Sequence, residues 1–138
     1  MGTSIRAAIS KRNGHYVEKH RYYELKHFCR QYPLWRNECA ALDSLAGIPD
    51  GPLLAKGGMA SDPTARCAVA REFYLRRIGM VERAARETDE ALAVYILKAV
   101  TLGRSYDYLR TNLGIPCGKE AYYKLYRRFF RLLDEERG

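Results

Sequence analysis

The sequence lacks any apolar run long enough to cross a bilayer, and residues 1–20 contain no hydrophobic stretch of the kind that directs export. Nothing in the sequence therefore favours a membrane protein or a secreted one. We expect a cytoplasmic protein without membrane contact.

Signatures of metal binding and catalysis are also missing. Three histidines are present, all in the N-terminal quarter: His15, His20 and His27. Four cysteines are present at wide, irregular spacing: Cys29, Cys39, Cys67 and Cys117. Zinc sites favour histidines four apart or C-x-x-C pairs, so no metal site is expected, and free thiols suit a reducing compartment. No serine, cysteine or lysine is arranged with a base in a pattern typical of nucleophilic catalysis, so we expect neither an enzyme nor a cofactor.

Acidic residues are fewer than basic residues in this chain. The chain has 24 Lys and Arg against 16 Asp and Glu, which gives a net charge of +8 and a pI near 9.5. Such a charge favours an anionic partner, but it does not distinguish DNA, RNA, lipid or an acidic protein. The length of 138 residues and the hydrophobic content of 47% suit one domain with its own core.

Composition divides the chain into three parts. Residues 1–20 have no apolar periodicity and predict a basic flexible arm, which either follows DNA phosphates or is an ordinary disordered terminus. Residues 21–87 predict part of a helical bundle, interrupted at 46–62 by a loop rich in Gly and Pro that is either functional or disordered. Residues 88–138 predict a helix-turn-helix.

Apolar residues recur at three- and four-residue steps through residues 22–45, which predicts helix on both sides of Pro33. The proline favours either a kink or two helices that meet near Tyr32, with Pro33 as the first residue of the second. Trp35 shares the apolar side and is expected in the core.

Asp62 and Pro63 are typical of a helix start, and the helix that follows is expected to reach about Glu87. Its interior Gly79 predicts a close helix crossing. One face of this helix is expected to pack in the bundle: Cys67, Ala70, Tyr74, Ile78, Val81 and Ala85.

The C-terminal third predicts a helix, a short helix, a tight turn and a cationic helix. Thr88 is expected to cap the first helix at 89–102, and Gly103 is expected to end it. Ser105 begins the short helix, and Gly and Pro within 114–118 force the turn. The expected fold is all-α, a small helical bundle with a C-terminal helix-turn-helix.

The last helix, expected at 119–136, separates apolar from basic residues at 100° per residue. Its apolar side is expected to carry Tyr122, Leu125, Phe129, Leu132 and Leu133. A recognition helix presents its N-terminal residues to base edges, and its basic residues meet phosphates. The candidate nucleic-acid-binding residues are therefore Lys119, Tyr123, Lys124, Arg127, Arg128 and Arg131. The alternative is a solvated or protein-binding face.

Four segments resemble small proteins carried by phages and integrated elements of Gram-positive bacteria. They are residues 23–33, 95–101, 115–119 and 126–130, which read YELKHFCRQYP, YILKAVT, IPCGK and YRRFF. The C-terminal part is similar to the helix-turn-helix of RinA- and ArpU-type late-gene regulators, itself similar to the promoter-reading region 4 of sigma factors. The turn containing Pro116 is slightly longer than that motif's. The resemblance implies a DNA-binding regulator whose base-reading side carries Lys119, Tyr123, Lys124 and Arg127.

We therefore expect a regulator of phage or mobile-element transcription that binds double-stranded DNA through its last helix. Its further expected partners are a second copy of the chain, through residues 22–45, and host RNA polymerase. The alternative is a mobile-element inhibitor of a host defence enzyme, for example an anti-CRISPR protein that binds a defence nuclease. Such an inhibitor would use a surface of Tyr123, Tyr126 and Phe130 with neighbouring arginines.

Overall fold

The computed structural model describes residues 5, 14–46 and 63–138, and within these ranges every regular element is an α-helix. In chain order the helices are α1 (Lys19–Arg30), α2 (Tyr32–Ala46), α3 (Pro63–Thr88), α4 (Ala93–Leu102), α5 (Tyr106–Leu113) and α6 (Lys119–Arg137). The predicted all-α bundle is confirmed. The predicted loop beyond Ala46 and most of the predicted N-terminal arm lie outside the described residues.

Two helices meet near Tyr32, as the proline predicts, with Gln31 between them. Pro33 is the second residue of α2 rather than the first, because the Gln31 carbonyl oxygen already accepts from the Trp35 amide at 3.0 Å. Trp35 is buried, as predicted, and its ring meets Phe28 edge-on with centroids 4.7 Å apart. This contact joins the end of α1 to the start of α2.

The apolar side of residues 22–45 faces the interior of this same chain. Its buried members are Tyr22, Leu25, Phe28, Cys29, Tyr32, Trp35 and Cys39. A second copy that docked on this segment would therefore meet the outer side of α1 and α2, where Tyr23 and Leu34 are the exposed large apolar residues among those described.

Gly79 does not mark a helix crossing. A β-carbon at this position would come within 2.9 Å of Nη1 of Arg83, a side chain of the same helix. The Arg83 guanidinium lies over the glycine and reaches Glu136 of α6, with Nη2 3.2 Å from Oε2. The glycine thus makes room for a bridging arginine rather than for a second backbone.

The first helix of the C-terminal unit begins later than the sequence predicts. Thr88 is the last residue of α3, and its hydroxyl donates to the Ala84 carbonyl oxygen at 2.7 Å instead of capping a new helix. The Asp89 carboxylate accepts from the Leu92 amide at 3.1 Å, which holds the connection in a turn. The helix α4 therefore starts only after this turn.

Glycine and serine set the end of α4 and both ends of α5, as predicted. Gly103, with φ 70°, ends α4, and Gly114, with φ 65°, ends α5; both adopt the left-handed conformation that glycine tolerates. At the start of α5, Ser105 Oγ accepts from the Tyr108 amide at 3.2 Å. The positions of these three helix ends therefore follow from local backbone chemistry.

The turn between α5 and α6 is fastened by side chains of α5. The Tyr106 hydroxyl donates to the Cys117 carbonyl oxygen at 2.7 Å, and the Arg110 guanidinium donates to the Ile115 carbonyl oxygen at 2.9 Å. Ile115 itself is buried in the core. These contacts hold the start of α6 in place.

The helix α6 is a core helix that packs on both α3 and α1. Its buried residues are Tyr122, Tyr126, Phe129, Phe130 and Leu133. The predicted apolar side was partly wrong: Leu125 and Leu132 are only half-buried, whereas Tyr126 and Phe130 are buried. The buried side turns toward α1, because Phe130 packs on Tyr22 with ring centroids 5.1 Å apart.

Ion pairs fasten the C-terminal end of α6 to two other helices. Asp134 pairs with Arg21 of α1 at 2.7 Å, and Arg137 pairs with Glu24 of α1 at 2.6 Å. Glu136 pairs with α3, as described above. The charges at this end of α6 therefore hold the bundle together.

Candidate nucleic-acid interface

Lys124 and Arg128 lie one helical turn apart on the side of α6 that faces away from the core, and both are exposed. The Arg128 guanidinium also approaches the carbonyl oxygen of Glu87 on α3, at 3.5 Å. Glu120 lies one turn before Lys124 and is exposed as well, so it lowers the positive charge at the start of the helix. Two cations and one acid thus form the exposed side of the N-terminal half of α6.

Lys119 is exposed at the first residue of α6, five positions before Lys124, and so lies on a different side of the helix. Its Nζ is 5.8 Å from the ring centroid of Tyr123, which is half-buried. Gly118 precedes α6 and has no side chain with which to cap it. The amide groups of the first turn are therefore left without a side-chain cap beside a lysine.

Arg127 and Arg131 are half-buried at the edges of the exposed side. Burial raises the pKa of Tyr22, and the positive charge of Arg127 opposes that rise, which indicates that Arg127 leans toward α1. Arg131 pairs with Glu135 of the same helix, with Nε 3.3 Å from Oε1. The six candidate residues therefore do not form one continuous exposed surface. Three are exposed and three are half-buried.

Two exposed arginines near α6 were not among the predicted site residues. They are Arg104, whose guanidinium lies 4.5 Å from the Tyr108 ring centroid, and Arg110, which holds the turn. Residues 103–128 contain six basic residues against two acids, a net of +4. The sequence contains this charge, but apolar periodicity, which predicts the helix at 105–113, does not reveal it.

The aromatic surface predicted for an inhibitor is not present. Tyr126 is 7% exposed and Phe130 only 1%, because both belong to the core face of α6. Tyr123 alone of the three reaches the surface, and it is half-buried. A protein-binding role would have to use other residues.

Within the described ranges, no group of three or more His, Cys, Asp or Glu side chains is placed to hold a metal ion. In the same ranges, no helix combines the length and apolar character that crossing a membrane requires. The four cysteines are free thiols, of which Cys29 and Cys39 are buried. Burial raises the pKa of the Cys29 thiol, so Cys29 stays a neutral core residue.

Models of known protein families give no match to this chain, and neither do characterised proteins or solved structures. The functional argument therefore rests on the geometry and charge of the chain itself.

Proposed function

We propose that this chain is a cytoplasmic DNA-binding regulator of transcription for a phage or mobile element. The observation that carries this proposal is the placement of Lys124 and Arg128. Both are exposed in the N-terminal half of α6, opposite its buried face, and follow a turn that α5 holds in place. The net charge of +8 supports the same conclusion, because it attracts a polyanion over the whole molecule.

In this proposal α6 lies in the major groove and α5 supports it. Lys124 and Arg128 neutralise phosphates and release counterions, and the half-buried Arg127 and Arg131 add to the charge at the edges of the same side. This arrangement supplies affinity without reading sequence.

Base reading in the proposal falls to the amino end of α6. Lys119 donates to guanine, Glu120 accepts from a cytosine amino group, and Tyr123 contacts a thymine methyl group. The uncapped amide groups that follow Gly118 are suited to a phosphate at the groove edge. Sequence preference should therefore depend on Lys119 more than on Lys124.

The test is selection of bound duplexes from a random-sequence pool, followed by sequencing of the retained DNA. The expected result is a defined motif for the wild type and a changed or weaker motif for Lys119→Gln. Arg86→Gln, which removes an exposed charge from α3, is the matched control and should leave the motif unchanged. If the DNA retained by the wild-type protein shares no sequence motif, that result would contradict sequence-specific regulation.

A second candidate is the protein-binding inhibitor of a host defence enzyme, and exposed apolar residues on α3 favour it. Val69 and Phe73 lie one turn apart and are 70% and 47% exposed. The Arg77 guanidinium lies 3.4 Å from the Phe73 ring centroid. An aromatic residue with a stacked arginine is typical of interface hot spots.

A pull-down from nuclease-treated bacterial lysate tests this second candidate, because nucleic acid can no longer bridge two proteins in such a lysate. The inhibitor interpretation predicts a stoichiometric partner that is retained by the wild type and lost with Val69→Ser plus Phe73→Ser. A partner retained equally by both proteins would contradict a role for this surface.

A further inference from the structure

A partly enclosed cavity of about 430 Å³ lies between α1 and the junction of α4, α5 and α6. This volume is within the roughly 300–1,000 Å³ range of small-molecule sites. Its aromatic walls come from three helices and comprise Tyr23, Tyr106, Tyr122, Tyr126 and Phe130. The cavity lies on the core-facing side of α6, and neither Lys124 nor Arg128 lines it.

The charged groups around this cavity are all of one sign. Lys26, Arg30 and Arg104 line it together with His27, and no Asp or Glu is among the described residues that form its walls. Ser105, the residue that caps α5, is also in the wall, so the amino end of that helix adds its partial positive charge. The cavity is therefore suited to an anion.

Tyr122 carries an unsatisfied hydrogen-bond donor in the cavity wall. Its side chain lines the cavity and is 1% exposed, yet its hydroxyl has no hydrogen-bond partner among the described residues. Burial raises the pKa of Tyr122, so the hydroxyl keeps its proton and remains a hydrogen-bond donor. Buried polar groups without partners are rare, and a missing ligand is one physical explanation.

Lys26 is the second sign of a missing anion. It is half-buried, with Nζ 5.5 Å from the Tyr22 ring centroid and 5.7 Å from that of Tyr23. Burial lowers the pKa of Lys26, and the nearby charge of Arg30 lowers it further. The negative charge of a bound anion would oppose both effects by favouring the charged form of Lys26.

We propose that this cavity binds a nucleotide, with the phosphate on Arg30, Arg104 and Lys26 and the planar base against Tyr23 and Tyr106. The cations recognise phosphate oxygens, while aromatic faces favour a flat ring over an inorganic ion. This site goes beyond the proposed DNA-binding role, because it uses none of the exposed residues of α6.

Isothermal titration calorimetry of the full chain with adenosine 5′-monophosphate tests the proposal. The expected result is one site per chain, with adenosine and inorganic phosphate each binding at least tenfold more weakly than the nucleotide. Absence of binding at millimolar nucleotide, or equal affinity for adenosine, would overturn the proposal.

Three variants and one control locate the site. Arg30→Gln and Arg104→Gln each remove a charge from an exposed side chain and should lower nucleotide affinity about tenfold. Lys26→Gln removes the half-buried cation of the cavity wall and should also lower nucleotide affinity about tenfold. Arg86→Gln, on the exposed side of α3, should leave affinity unchanged. A nucleotide affinity that is unchanged in all three cavity variants would overturn the assignment of the site.

The same chemistry is present in a free nucleotide and in the 5′-phosphorylated end of a strand. Titration with a short single-stranded oligonucleotide, with and without its 5′-phosphate, separates the two sources. Tighter binding of the phosphorylated strand than of the mononucleotide would identify a strand end, and the reverse order would identify a free nucleotide. Equal binding of the two oligonucleotides, together with no binding of the mononucleotide, would overturn the proposal.

Discussion

Tyr22 and Tyr122 are both buried, yet their hydroxyl groups have opposite environments. The Tyr22 hydroxyl donates to the Ile5 carbonyl oxygen at 2.8 Å, whereas the Tyr122 hydroxyl has no partner among the described residues. A satisfied buried hydroxyl stabilises a protein, and an unsatisfied one destabilises it. Removal of the same atom should therefore have opposite effects at these two positions.

We expect Tyr22→Phe to lower the free energy of unfolding by about 1 kcal/mol and Tyr122→Phe to raise it by up to about 1 kcal/mol. Each variant is the other's control, because both change a buried tyrosine into phenylalanine. Urea unfolding followed by circular dichroism measures the difference. Equal destabilisation by the two variants would show that the Tyr122 hydroxyl is satisfied in solution.

At the scale of the helices, the left-handed glycines at the ends of α4 and α5 differ in their surroundings. Both Gly103 and Gly114 have positive φ. A β-carbon at Gly114 would meet nothing within 4 Å, whereas one at Gly103 would come within 2.5 Å of Arg30 Nη1. A residue with a β-carbon would therefore be opposed by backbone strain alone at Gly114. At Gly103 it would be opposed by backbone strain and by a steric clash.

Gly114→Ala should cost about 1 kcal/mol of stability from backbone strain alone. Gly103→Ala should cost slightly more, because the flexible end of the exposed Arg30 side chain must also move. Thermal or urea unfolding of the two single variants gives the comparison. A smaller loss for Gly103→Ala than for Gly114→Ala would contradict the close approach of Arg30.

The boundaries of the helices were predictable where the deciding interactions were local in sequence. Ser105, Gly103 and Gly114 identify helix ends by their own backbone preferences, and α5 begins and α4 ends where these residues predict. The start of α4 was not predictable in this way. Asp89 looks like a first-turn residue, but its carboxylate is used by the Leu92 amide in a turn.

At the scale of the whole molecule, the sequence predicted the fold class better than the surface. The core position of Tyr126 and Phe130 depends on α1 packing beside α6, which no local pattern reveals. The sequence does not predict the aromatic cavity for the same reason. Its charged residues lie in segments around Lys26 and Arg104, which are distant in sequence. Long-range packing decided both features.

The buried tyrosines also predict how stability depends on pH. Burial raises the pKa of Tyr22, Tyr122 and Tyr126 above the usual value of 10. Above about pH 10 the unfolded chain loses phenolic protons that the folded chain keeps, so the stability present below that pH is lost as the pH rises. Each of the three groups should contribute a loss of at most about 1.4 kcal/mol per pH unit.

Urea unfolding at a series of pH values between 8 and 11 measures this loss. The slope above pH 10 should become shallower in Tyr122→Phe by at most about 1.4 kcal/mol per pH unit, because one phenol with a raised pKa is removed. A stability that does not fall above pH 10 would contradict the burial of these phenols.

The central claim is that the exposed side of α6 binds DNA phosphates, and the most direct test is the salt dependence of duplex binding. Fluorescence anisotropy at several salt concentrations compares the wild type with Lys124→Gln plus Arg128→Gln and with the charge-matched control Arg66→Gln plus Arg86→Gln on α3. The account predicts weaker binding and a slope of log Kd against log salt that is shallower by roughly 2 for the α6 variant, with little change for the control. Equal slopes for the two double variants would contradict it.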